Sequence, residues 1–165
     1  IVSSHSSSTW RAERHGMPYH HIPVDRGGKE ASETRVLELV EALKVDLVVL
    51  ARYMQVLSDR TCEKLAGRCI NIHHSFLPGF KGAAPYTQAF ERGVKLIGAT
   101  AHYVTPELDE GPIIAQAVEP AHHAHAPEML AAIGRDTEAR VLAQAVKLHI
   151  EGRIFLNGSK TVIFA

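Results

Sequence analysis

The chain lacks an excess of either charge. Lys plus Arg and Asp plus Glu number 18 each, so no net field recruits nucleic acid or an anionic membrane without a local basic patch. No apolar run approaches the roughly 20 residues that cross a bilayer, and no charged-then-apolar leader directs secretion. Cysteine is scarce as well: Cys62 and Cys69 carry no metal or redox spacing and read as buried reduced thiols rather than a disulfide. Repeats, linkers and low-complexity tracts are missing, apart from "SSHSSS". These absences leave a cytoplasmic globular protein, and 165 residues at 45% hydrophobic and 22% charged suffice for one domain with a core. An initiator methionine is absent too, and the apolar pair opening "IVSSHSSSTW" reads as the tail of a strand whose front is missing.

What is present alternates. A short helix is expected over residues 9–15, stopped by Gly16, and an extended segment over 19–24, where Pro23 suits a sheet edge. Val36, Leu39, Val40 and Leu43 give residues 30–43 the spacing of an amphipathic helix. The run "VDLVVLA", residues 45–51, reads as a strand covered on both faces. Ser58 caps a helix to about residue 65, and residues 68–72 form a second buried strand. A helix over 85–92, a strand over 97–104, a turn over 105–112 and a returning strand "IIAQAVEP" follow. Pro127 opens a long helix to about residue 151, with Leu130, Ile133, Val141, Ala145 and Leu148 on its apolar side. Asn157-Gly158 marks a closing β-hairpin. The pattern predicts an α/β protein with a Rossmann-like open, mostly parallel sheet and helices on both faces, where ligands bind beyond the carboxyl ends of strands.

Polar residues gather at those ends. In "CINIHHSFLPGF", Asn71 and His73 lie two apart on an extended chain and so point the same way. An amide can steady a carbonyl oxygen gaining charge, and an imidazole can donate to it or move a proton; the bland alternative is a turn asparagine and a core-edge histidine. In "GATAHYVTPELDEGPII", a strand carrying His102 feeds a loop carrying Asp109, which can orient an imidazole or deprotonate water. Its neighbours Glu107 and Glu110 are acidic too, and the bland alternative for any one of the three is a solvated turn residue. "HHAH", residues 122–125, invites a metal, but no HExxH or Cys pattern accompanies it, and a solvated helix approach is the default. His20 and His21 face opposite ways on a strand. "GFKGAAP", residues 79–85, lacks the phosphate-loop pattern and reads as a loop beside the cleft.

Together, "INIHHSFLPGFKGA", "GATAHYVTPELDEGPII" and "NGSKTVIF" resemble the formyltransferase-fold domain of the formyltetrahydrofolate deformylases, with likeness from "YHHIPV" onward. The resemblance implies hydrolysis of 10-formyltetrahydrofolate to formate and tetrahydrofolate by water attack on the N10-formyl carbon. Asn71 would hold the formyl oxygen, His73 would stabilise or protonate the tetrahedral intermediate, Asp109 would position and activate water, and His102 would support the carboxylate loop. Leu50, Met54, Gln55, Val56 and Leu57 would line the folate pocket, with Val104 and Leu108 in its other wall. No metal or other cofactor is implied; the folate is substrate, and a homo-oligomer is left open. Ala84 stands where the family usually has a basic residue, and Thr87 where it has a histidine. Residues 1–165 would be the catalytic domain without its first strand and helix or the ACT-type domain before them, and are expected to be poorly stable and weakly active alone. The alternatives are a folate-dependent transferase to an amine, or a silent folate-binding fragment.

Overall fold

The computed structural model describes residues 1–5, 9–24, 28–53, 55–77 and 85–164. Met54, Ser6 to Ser8 of the serine-rich loop, and residues 79–84 of the expected cleft loop, with Ala84, lie outside them. The chain divides into two compact units, Ile1–Asp46 with Leu57–Thr61, and Leu47–Val56 with Cys62–Ala165. The first unit holds β1 (Val2–Ser3), α1 (Thr9–Arg14), β2 (His20–His21) and α2 (Gly28–Ala42), with β1 and β2 paired in parallel. Leu37 and Val40 are the buried apolar residues of α2, joined by buried Glu33. Ser58 caps α3 (Asp59–Lys64) as its spacing predicts: its Oγ accepts from the Thr61 N–H at 3.4 Å.

The second unit carries a four-stranded sheet in the order β3-β4-β5-β6, from β3 (Val48–Leu50), β4 (Cys69–His73), β5 (Leu96–Tyr103) and β6 (Ile113–Pro120). β3 and β4 pair in parallel, and β4–β5 and β5–β6 antiparallel. Alternation along β4 sends Ile70 and Ile72 into the core and Asn71 and His73 to the opposite side. The core face joins Ile70, Ile72, Ala99, Ala101 and Ala115 to Val141, Ala145 and Leu148 of α5 (Pro127–Ile150), the alanines letting the helix lie close to the sheet. Val141, Ala145 and Leu148 recur at helical spacing, as the sequence pattern requires.

β3 departs from expectation. It is shorter than residues 45–51, and Val49 is 40% exposed while Val48 and Leu50 are half-buried, so it is not covered on both faces. The reason is its place at the end of the sheet, with β4 as its hydrogen-bonded neighbour. α4 (Pro85–Glu91) ends before Gly93, whose φ is 60°. The closing hairpin joins β7 (Ile154–Asn157) to β8 (Lys160–Ile163), and because Asn157 pairs with Lys160, the loop is Gly158-Ser159, one residue later than expected. Gly158 takes φ 60° at the first loop position, where a side chain is disfavoured. No helix among the described residues is long and apolar enough to cross a membrane.

Candidate active site

Register assembles the site. Leu50 of β3 pairs with Asn71 of β4, and Asn71 pairs with His102 of β5, so one row across three strands carries an apolar residue, an amide and an imidazole. His73 stands one step further along the same side of β4, opposite Thr100. At His102 the β5–β6 ladder slips: Ala101 pairs with Ala115 but His102 with Ile113, leaving Ile114 extra. Such a bulge re-aims the side chains beside it.

Asp109 completes the group from the loop after β5. Its Oδ2 lies 3.3 Å from His73 Nδ1 and its Oδ1 3.7 Å from His102 Nε2. Asn71 Nδ2 lies 3.3 Å from the same His102 Nε2. The four residues predicted as the chemical group therefore meet. Asp109 also stands apart from its acidic neighbours, since Glu107 and Glu110 are exposed while its side chain is 9% exposed. Its backbone has φ 58°, the left-handed region that aspartate enters more readily than most residues. The loop is closed at its base by the Tyr103 N–H donating to the Pro112 carbonyl at 2.9 Å, and Val104 N–H donates to Cys69 O at 2.9 Å.

Burial pushes the His102 imidazole below its ordinary pKa, against the Tyr103 carbonyl and Asp109, which act to raise it. The His73 ring stacks on His74, with centroids 4.8 Å apart and planes 22° from parallel. Burial, with Cys62 nearby, pushes the Cys69 thiol up to about 12, so it stays protonated and is no nucleophile at neutral pH. Cys62 and Cys69 are both buried thiols, as read from their spacing.

Two residues that shape the site were not singled out from sequence. Thr100, fully buried, donates from Oγ1 to Ser75 O at 2.9 Å and accepts from Leu77 N–H at 3.0 Å and Gln116 Nε2 at 2.9 Å. Gln116 also donates to Leu77 O at 3.1 Å. The turn leaving His73 is thus tied to β5 and β6. The legible signal was Thr100, two residues before His102 and so on its face of β5.

The expected folate-pocket residues are spread more widely. Leu50 is in the row with Asn71, and Val104 is half-buried where the Asp109 loop begins. Gln55, Val56 and Leu108 are exposed, and Leu57 is half-buried before α3. Thr87 is exposed on α4. Rings of His122 and His125 lie 3.6 Å apart, yet among the described residues no three His, Cys, Asp or Glu side chains form a group able to hold a metal ion.

The α/β sheet thus gathers an amide, two imidazoles and a carboxylate on one side of β4 and β5. The chain belongs to the formyl transferase family, whose profile matches residues 2–146. Within that family its similarity runs to formyltetrahydrofolate deformylases. The one from Corynebacterium sp. (strain P-1) is 54% identical over 163 residues, 99% of this chain and 57% of the relative. That from Bacillus subtilis (strain 168) is 48% identical over 99% of this chain and 55% of its own length. The crystal structure of the Burkholderia mallei deformylase superposes with a TM-score of 0.94 at 56% identity, covering 100% of this chain and 59% of that one. Glycinamide ribonucleotide transformylase 1 from Symbiobacterium toebii superposes with a TM-score of 0.93 at 34% identity, covering 100% of this chain and 79% of that one. The chain spans just over half the length of the deformylases it matches.

Proposed function

We propose that this chain hydrolyses 10-formyltetrahydrofolate to formate and tetrahydrofolate. The observation that carries the reading is the approach of Asp109 to His73 at 3.3 Å beside the Asn71 amide, in a chain whose similar relatives are deformylases. An N-formyl group is resonance-stabilised, so water must be aimed at its carbon while the oxygen's growing charge is met. Asp109 holds the attacking water and accepts its proton. Asn71 donates to the formyl oxygen, and His73 donates to the same oxygen or delivers a proton to the departing N10. The C–N bond breaks as N10 takes up that proton, giving formate and the free amine. Water is the nucleophile and hydrogen-bond donors meet the charge, so the step calls for neither metal nor redox cofactor.

Leu50 and Val104 supply apolar wall to a folate ring beside the polar group, with Gln55, Val56 and Leu108 assigned to the same pocket. A cytoplasmic location fits a folate substrate. The likeness to the Symbiobacterium transformylase supports a second reading, transfer of the formyl group to an amine, since the same three groups serve either nucleophile.

The test is formate release with water as the sole acceptor. Formate and tetrahydrofolate in equal amounts support hydrolysis. Turnover that begins only when an amine acceptor is added supports transfer instead, and folate binding without turnover under either condition leaves a binding module.

A further inference from the structure

His102 has two ring nitrogens and two different neighbours. Its Nδ1 lies 2.9 Å from the Tyr103 carbonyl oxygen, an atom that can only accept, so Nδ1 must carry a proton. Its Nε2 lies 3.3 Å from Asn71 Nδ2 and 3.7 Å from Asp109 Oδ1, the second beyond hydrogen-bond reach. The ring is 3% exposed, and burial disfavours its doubly protonated form. A neutral ring protonated at Nδ1 offers a lone pair at Nε2, and that lone pair draws the NH₂ of Asn71 rather than its carbonyl.

The contact to Tyr103 depends on a missing side chain. A Cβ on Gly111 would stand 1.7 Å from the Tyr103 carbonyl oxygen and 3.2 Å from His102 Nδ1, in the space around that hydrogen bond. The obstruction is backbone, so it cannot be relieved by turning a flexible side chain. Gly111 lies in the return of the loop that carries Asp109.

We propose that His102 keeps its one ring proton on Nδ1, held by the Tyr103 carbonyl in a gap that only Gly111 leaves open, and that this tautomer fixes the Asn71 carboxamide as a hydrogen-bond donor. One N–H of the amide is spent on His102 and the other is left for a ligand oxygen. With the proton on Nε2 instead, the ring would draw the Asn71 carbonyl and turn the amide over. Gly111 and His102 are thus positioning residues for Asn71. The functional consequence rests on the formyl-oxygen role proposed for Asn71, while the tautomer does not.

The test reads the ring directly. Imidazole ¹⁵N–¹H correlation spectra of the ¹⁵N-histidine-labelled chain, with His102 assigned by the signals lost in His102→Gln, distinguish the two neutral tautomers from the cation. The expected result at pH 7.5 is a neutral ring protonated at Nδ1. It should persist on acidification to about pH 6, near the ordinary histidine value, with Asp109 and Asn71 the polar groups facing Nε2. A ring protonated at Nε2, or a cation at pH 7.5, overturns the proposal whatever the chain catalyses. Gly111→Ala, where it folds, should shift His102 toward the other tautomer and lower kcat roughly 10²-fold, the size expected for a lost oxyanion donor. An unchanged Nδ1–H signal in folded Gly111→Ala removes the glycine from the scheme. Where that variant does not fold, the parent spectrum decides alone.

Discussion

Glu33 and Asp109 are both carboxylates held out of water, and they are held differently. Glu33, 5% exposed, receives Ser58 N–H at 3.1 and 3.2 Å, the Ser58 hydroxyl, and the Thr61 hydroxyl at 2.7 Å, with Lys29 Nζ 3.7 Å away. The Ser58 and Thr61 donors are uncharged N–H and O–H groups that between them meet both carboxylate oxygens. Asp109 instead meets two imidazoles at 3.3 and 3.7 Å, on a backbone in the left-handed region. The first carboxylate fastens residues 58–61 to α2 through hydroxyl and N–H donors; the second, among the described residues, faces two imidazoles. The kind of neighbour, more than burial, separates the two.

The sharpest way to break that contrast is to neutralise each acid. Asp109→Asn should lower kcat/KM for formate release by roughly 10³-fold and leave the thermal midpoint close to the parent, because asparagine tolerates the same φ. A variant that keeps its turnover would remove Asp109 from the chemistry. Glu33→Ala should do the reverse. Stranding the Ser58 and Thr61 donors should cost about 3 kcal/mol in urea unfolding, with turnover per folded molecule nearly unchanged.

Thr100→Val sharpens the comparison at a neutral network. Losing the hydroxyl should cost about 1–2 kcal/mol and lower turnover only a few-fold, through loosening of the turn after His73. The smallest effect is on pH. Because burial lowers the folded-state pKa of His102, the unfolded chain binds the extra proton first as pH falls below the ordinary value near 6.5. This contribution to stability is therefore present above that pH and lost below it, until the folded pKa is reached. Urea midpoints measured from pH 8 to 5.5 should fall with acid, and His102→Gln should flatten part of the slope.

The two carboxylates were not equally visible in sequence. Asp109 stood out because its loop follows a strand bearing a histidine, and the two-residue spacing of Asn71 and His73 announced a shared face. Alternation of apolar runs and helical periods likewise carried most elements, including α5 and the capping of α3 by Ser58. Glu33 looked like any helix glutamate, since its donors lie some 25 residues away. The apolar run at β3 read as fully buried because composition cannot tell an end strand from a central one. The bulge at His102, the bonds of Thr100 and Gln116, and the gap at Gly111 are products of strand pairing and close backbone approach. None leaves a mark on local periodicity.

The row Leu50, Asn71, His102 has a consequence for how this chain can vary. Because neighbours on a strand alternate sides, one residue inserted into β4 ahead of Asn71 would swap Asn71 and His73 with isoleucines, sending the polar pair inward and greasy side chains outward. Point substitutions here degrade the protein by degrees. Changes of length in β4 or β5 act like a parity error, and lineages should tolerate them only in even steps or in the connecting loops.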